Sequence, residues 1–261
     1  MALATSLANV HELPHDQAER ELRVQLAAAY RLVDYFGWTE LIFGHLTARV
    51  PGSPGHFLIN PFGLNYEEVT ASNLVKIDVD GSIIGDSDYP VSRAGFVIHS
   101  AIHMVPGTEN HVVMHTHTRA GMAIAAIDEG LLPISMVSTG FFGKLAYHDY
   151  EGVSLYEDER ERLVASMGEH KAMILRNHGL LAVGATIPEA FIRLHRLERA
   201  CQIQVDAAGA GHLRLLEDRV ADKSGQELDS FSRKNSDGRA GMLEFAALMR
   251  KMDRIDPSYR E

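Results

Sequence analysis

Apolar positions at Leu22, Val24, Leu26, Ala29, Leu32 and Val33 recur at helical spacing through "DQAERELRVQLAAAYRLVDYFG". They predict one helix that stops at Gly37 and packs a face on a sheet. The pattern then breaks into short strand-like runs. "HLTARV" and "HFLIN" flank the turn cluster "PGSPG" and read as a hairpin, and "NLVKIDVDGSIIG" reads as a second hairpin turning at Asp80-Gly81. Helical spacing returns in "RAGFVIHSAIHMV", which leads through Pro106-Gly107 into the strand "HVVMHTHT".

Strand and helix alternate from there. "TRAGMAIAAI" reads as a short helix, "KLAYHDY" as a strand, and "LYEDERERLVASMG" as an amphipathic helix ended by Gly168. "KAMILRNHGLLAVG" reads as a strand, a turn at Asn177 to Gly179 and a second strand. A long helix follows, with Thr186 as its cap and Pro188 and Glu189 in its first turn. Many short strands with helices interspersed predict an α/β layered domain, although periodicity leaves strand order open. No linker or repeat interrupts the chain. The expected organisation is a mobile arm over residues 1–20 and a single domain over 21–261 that ends in a mobile tail.

Composition narrows the class. The 261 residues are 46% hydrophobic, enough for one sizeable core. The one cysteine, Cys201, excludes an intramolecular disulfide framework, and the opening residues lack a basic start followed by an apolar block, so a cytoplasmic location is expected. No apolar run approaches the roughly 20 residues that cross a bilayer. "MAIAAIDEGLLPISMV", for example, is broken by Asp128, Glu129 and Pro133. A net charge of -10 disfavours attraction to phosphate backbones, so no nucleic-acid partner is expected.

The 14 histidines carry the candidate chemistry. On a strand, His115 and His117 project from one face, where two imidazoles either converge on a metal ion or serve as hydrogen-bonded core residues. A catalytic site would keep three protein ligands and an open position. The candidate third ligand is His178, in a turn between Asn177 and Gly179. His111 lies a further pleat away and reads as a structural or supporting residue. His45, His99 and His103 read as hydrogen-bonded core or cleft residues rather than ligands.

The pieces "GHLTARV", "NPFGLNYEEV", "AGFVIHSAIH", "HTHTRAG", "LLPIS", "AYHDYEG", "ILRNHGLLAVG" and "EAFIRLHRLERACQIQ" follow one another in the chain. Through them the chain, from about Ala27 to Gln204, resembles the class II aldolase/adducin family, its later pieces most of all adducin heads and their bacterial relatives. The resemblance implies a three-layer αβα fold with a mixed, largely antiparallel central sheet. It also implies a homotetramer with sites near subunit interfaces and a small-molecule substrate. The implied cofactor is a divalent metal ion, zinc first and iron or manganese as alternatives, on His115, His117 and His178. In the family's sugar-phosphate aldolases that ion polarises a ketone and stabilises the enediolate formed when a carbon-carbon bond breaks. Adducin heads generally lack the full triad and serve cytoskeletal assembly.

The chain also departs from the aldolase pattern. Those enzymes carry an acid about one helical turn before the residue matching His99, and here that place falls on Gly95 or Ala94, neither of which moves a proton. Their phosphate pocket matches Phe62-Gly63, His45 and Arg93-Ala94, so His45, Phe62, Gly63 and Arg93 are the expected substrate-binding positions. Arg93 has a planar fork suited to a carboxylate or phosphate, or to a surface salt bridge. The tyrosine supplied by a neighbouring subunit falls near Met136 or Val137. The remaining catalytic candidates are Arg93, His45 and Tyr259, the last on a tail of the kind that closes over the site in some relatives. Tyr147, His148 and Asp149 read as a hydrogen-bond network, and Trp38 with Phe141-Phe142 as pocket lining, core or interface. Three functions follow: a metal-dependent lyase for aldol cleavage or decarboxylation of a carbonyl or carboxylate, a non-haem iron oxygenase, or a noncatalytic adducin-like binding or scaffold protein.

Overall fold

Residues 7–152, 159–235 and 240–261 are described by a computed structural model, without the side chains of residues 16, 93–97 and 232–235. In chain order the elements are α1 (His15–Tyr35), β1 (His45–Arg49), β2 (Phe57–Ile59), β3 (Val75–Ile77), α2 (Arg93–His103), β4 (Val112–Thr116), α3 (Arg119–Ala125) and α4 (Met136–Thr139). There follow β5 (Leu145–His148), α5 (Glu159–Met167), β6 (Ala172–Leu175), β7 (Gly179–Gly184), α6 (Ile187–Ala210), α7 (Asp218–Asn235) and α8 (Met242–Ile255). Helix α1 gives way at Gly37, whose φ of 68° suits a residue without a Cβ. Thr186 caps α6 by accepting from the Glu189 amide, as its place before Pro188 predicts.

The seven strands form one sheet in the order β3-β2-β1-β4-β7-β6-β5. Every adjacent pair is antiparallel except β5 with β6. Alternation along the central strands sorts the layers. Leu46, Ala48, Val112, Met114, Leu180 and Ala182 pack with α1, α3, α6 and α8. Val113, Leu181, Val183 and Met173 pack with α2 and α5. Each buried Val, Leu or Met among them contributes roughly 1.5–3 kcal/mol, so a one-residue slip of β4 would be strongly resisted. The result is the expected αβα sandwich with a mixed, largely antiparallel sheet.

At both ends the described residues pack against the domain. Residues 1–6 lie outside the described residues, but Val10 is already buried in the core and α1 begins at His15. At the other end, α8 buries Phe245, Ala246, Met249 and Met252, and a 3-10 turn, Pro257–Arg260, closes the chain. The Ala71 and Ser72 amides donate to the carbonyls of Tyr259 and Glu261, while Arg31 pairs with Asp256 at 3.0 Å. Burial and these bonds fix the tail. Residues 153–158, the start of the expected helix before Gly168, lie outside the described residues.

Candidate metal centre

Strand register assembles the site at one end of the central strands. His45 opens β1 opposite His115 near the end of β4, and the β6–β7 turn delivers His178 to the same end. That turn is tight: Asn177 has φ of 54°, its amide donates to the Ala125 carbonyl, and the His178 amide donates to Leu175. A Cβ on Gly179 would lie 2.5 Å from the Thr116 carbonyl oxygen and 3.3 Å from atoms of both the His115 and His117 rings. Only glycine lets this turn approach the HxH strand.

The three rings meet through their Nε2 atoms, His117 lying 2.8 Å from His115 and 3.0 Å from His178. Hydrogen-bond partners fix two of the tautomers. His115 Nδ1 donates to the Leu180 carbonyl at 2.9 Å, and His117 Nδ1 donates to the Glu40 carboxylate at 2.7 Å. An imidazole that carries its one hydrogen on Nδ1 turns an Nε2 lone pair inward. Burial and then the neighbouring imidazoles push His115 well below the usual histidine range, and His178 falls to about 4 for the same reasons. Opposed lone pairs 2.8 Å apart repel unless a cation lies between them. Ligands of a tetrahedral zinc ion sit roughly 3.3 Å apart, so a small relaxation accommodates one. The donor set fits a divalent cation, and His117, with its side chain 18% exposed, borders the solvent side.

Glu40 is the carboxylate that orients His117, and nothing local in the sequence marks it. It begins a turn closed by the Phe43 amide donating to its carbonyl, with Leu41 at φ of 51°. Glu198 is a second residue that the motifs do not reveal. Buried on α6, it accepts from Gln202 at 2.8 Å and from the Thr118 hydroxyl, which also caps α3 directly after the HxH strand. Burial raises the Glu198 carboxyl above its usual range.

Behind His115 lies a second histidine cluster. The His45 ring is 5.5 Å from His115 and 4.4 Å from His99. Thr47 Oγ1 bridges His99 Nδ1 at 2.6 Å and His103 Nε2 at 2.7 Å, and His103 Nδ1 donates to the Asn110 carbonyl. Burial, above all, lowers His45 and His103 to about 3.

The other candidates separate. Arg93 begins α2, and its side chain lies outside the described residues. Phe62 and exposed Gly63, at φ of 113°, follow β2 at the same end of the strands, Phe62 half-buried with its ring 6.4 Å from Phe43. Met136 is 66% exposed at the start of α4, and Gly95 sits in the first turns of α2. Tyr259 does not join the site of its own subunit. It is wholly buried with α1 and α8 on the opposite face from His115, and donates to Asp253 at 2.6 Å, because α8 brings that acid beneath it. His111 lies at the far end of β4 against His11. Trp38 and Phe141 belong to the core, the former stacked on Phe36. Tyr147 accepts from the Leu131 amide under the Arg176 guanidinium, and His148 contacts Ser166.

The model of the class II aldolase and adducin N-terminal domain matches residues 24–205. An aldolase II superfamily protein from Pseudomonas syringae has a similar structure, with a TM-score of 0.85 and 46% identity over 95% of this chain and 97% of that one. An L-fuculose 1-phosphate aldolase from Glaciozyma antarctica is similar at a TM-score of 0.82 and 29% identity, over 97% and 98% of the two chains. The alpha-adducin of Rattus norvegicus is 42% identical over 93% of this chain, which spans 34% of that longer protein.

Proposed function

The chain belongs to the class II aldolase and adducin family, and on that premise we propose that it is a divalent-metal-dependent lyase acting on a small carbonyl or carboxylate compound. The observation that carries the reading is the convergence of His115, His117 and His178, with two rings already locked in the ligating tautomer. Zinc is the first choice for three imidazoles, with iron or manganese as alternatives. The bound cation would supply Lewis-acid polarisation of a substrate oxygen at its open position.

The chain's own residues do the rest. Glu40 holds the His117 ring, Leu180 holds His115, and the Asn177 turn presents His178. His45, Phe62, Gly63 and Arg93 would contact the substrate, Arg93 through a carboxylate. With Gly95 on α2 in place of an acid, proton transfer falls to another group, and His45 is the candidate. A homotetramer in the cytoplasm completes the proposal, supported by family likeness; among the described residues no helix is long and apolar enough to cross a membrane.

The test is to assay the metal-stripped and reloaded chain against hydroxyketones and carboxylates for released aldehyde or carbon dioxide. Metal-dependent cleavage is expected, and iron-dependent oxygen uptake would instead favour an oxygenase. Similarity to alpha-adducin over 93% of this chain favours a second reading, a noncatalytic binding protein, which predicts no turnover with any metal.

A further inference from the structure

On the face of the sheet away from His115, a hollow of about 470 Å³ opens between α1 and the C-terminus, within the roughly 300–1,000 Å³ of small-molecule sites. One wall follows from helical spacing. His15, Glu19 and Arg23 stand four residues apart on α1, with Arg20 and Val24 in the next row. The facing wall is the chain end, held by the Ala71 and Ser72 amides, which donate to the Tyr259 and Glu261 carbonyls at 2.9 and 2.7 Å. The hollow is remote from the metal triad. His45 opens β1 beside the triad, whereas Gly52 lies past the other end of that strand, and a Cβ there would fall 1.5 Å from His15 Nδ1. The guanidinium groups lining the hollow differ in what they have left to donate. Arg23 spends Nε and Nη2 on Glu19 and Nη1 on the Ala71 and Leu74 carbonyls, while Lys76 takes the second Glu19 oxygen at 2.8 Å. Arg260 spends Nε and Nη2 on Asp253 and keeps Nη1. Arg20 is exposed, and among the described residues it pairs with nothing. Exposed Glu261 likewise has no ion pair among the described residues, and nearly buried Val24 and Ala71 give the hollow an apolar floor.

We propose that this hollow is a second ligand site, for a small organic monocarboxylate with an apolar body. Arg20 offers its whole planar fork to the carboxylate, and the Nη1 edge of Arg260 adds a donor from the facing wall. The apolar body lies on Val24 and Ala71. Glu261 sets the charge, because it repels a second carboxylate on the ligand and so disfavours dicarboxylates and phosphate esters. Binding ties α1 to the chain end and uses none of His115, His117 and His178, so the site stands independently of the metal reading.

The test is titration calorimetry of phenylacetate, phenylacetamide and succinate on the full chain freed of metal, so that no ion competes for the carboxylate, at low ionic strength, where screening is least. Phenylacetate is expected to bind at least about tenfold more tightly than the uncharged amide, the effect of one charge-assisted hydrogen bond. Arg20→Gln, an exposed substitution that leaves the core alone, should weaken phenylacetate about tenfold and leave the amide unchanged. Glu261→Gln should strengthen succinate relative to phenylacetate, a gain that a merely loosened chain end would not produce. His178→Ala should bind phenylacetate as the wild type does. Equal binding of acid and amide, an affinity unchanged in Arg20→Gln, or binding lost in His178→Ala would overturn the site, the last by placing the acid at the metal centre instead.

Discussion

Two groups of three histidines lie side by side in this molecule and end differently. In His115 and His117 the outer nitrogen is tied to a carbonyl or a carboxylate, which turns Nε2 towards His178 and builds a converging set of donors. In His99 and His103 the outer ties run through Thr47 to a carbonyl, and the cluster ends on enclosed Nε2 atoms of His99 and His45 that have no hydrogen-bond partner among the described residues. The same side chain becomes a ligand or a hydrogen-bond acceptor according to what holds its other nitrogen and what its lone pair faces. Burial lowers His115 and His178 in one group and His45, His99 and His103 in the other, so the difference is one of geometry rather than charge.

Variants and conditions separate the two groups. His178→Ala should have the largest effect, reducing bound metal from about one equivalent per chain to background while His45, His99 and His103 keep their contacts; metal analysis reads this. Acid should come next and strike both groups. His45 and His103 at about 3 and His178 at about 4 lie below an unfolded value of about 6.5, so between these limits the unfolded chain binds more protons. The metal-free Tm should therefore hold above roughly pH 6.5 and fall as pH drops towards 4; a flat profile would mean that these rings are not buried as neutral groups.

Glu40→Gln tests only the first group. It keeps the shape but weakens the tie on His117, and should lower zinc affinity about 10- to 100-fold, read by chelator competition, without altering the nitrogen NMR signals of His99. The smallest expected effect is from Gly179→Ala, whose methyl group would press on the Thr116 carbonyl and both ligand rings. It should cost about 1–3 kcal/mol in denaturant unfolding and weaken the metal as the turn retreats.

Much of this comparison was legible in the chain. Period-two alternation around "HVVMHTHT" places His115 and His117 on one face, and the Asn-His-Gly turn after an apolar strand presents His178, both local signals. Glu40 was not legible, because its partner lies 77 positions away and an exposed turn acid carries no periodicity. The four-residue spacing of His99 and His103 indicates a shared helix face, yet the Thr47 link that orders their hydrogens depends on β1 packing against α2. The docked C-terminus was available in principle. Phe245, Met249 and Met252 recur at helical spacing, but the closing bonds to Ala71, Ser72 and Arg31 are long-range.

The central claim is that three imidazole Nε2 atoms hold one ion. X-ray absorption at the metal edge of the zinc-loaded chain tests it most directly. The account predicts three histidine scatterers at about 2.0–2.1 Å plus a lighter exchangeable oxygen ligand, with one histidine lost in His115→Ala. A spectrum with fewer histidines, or one unchanged by His115→Ala, would contradict it.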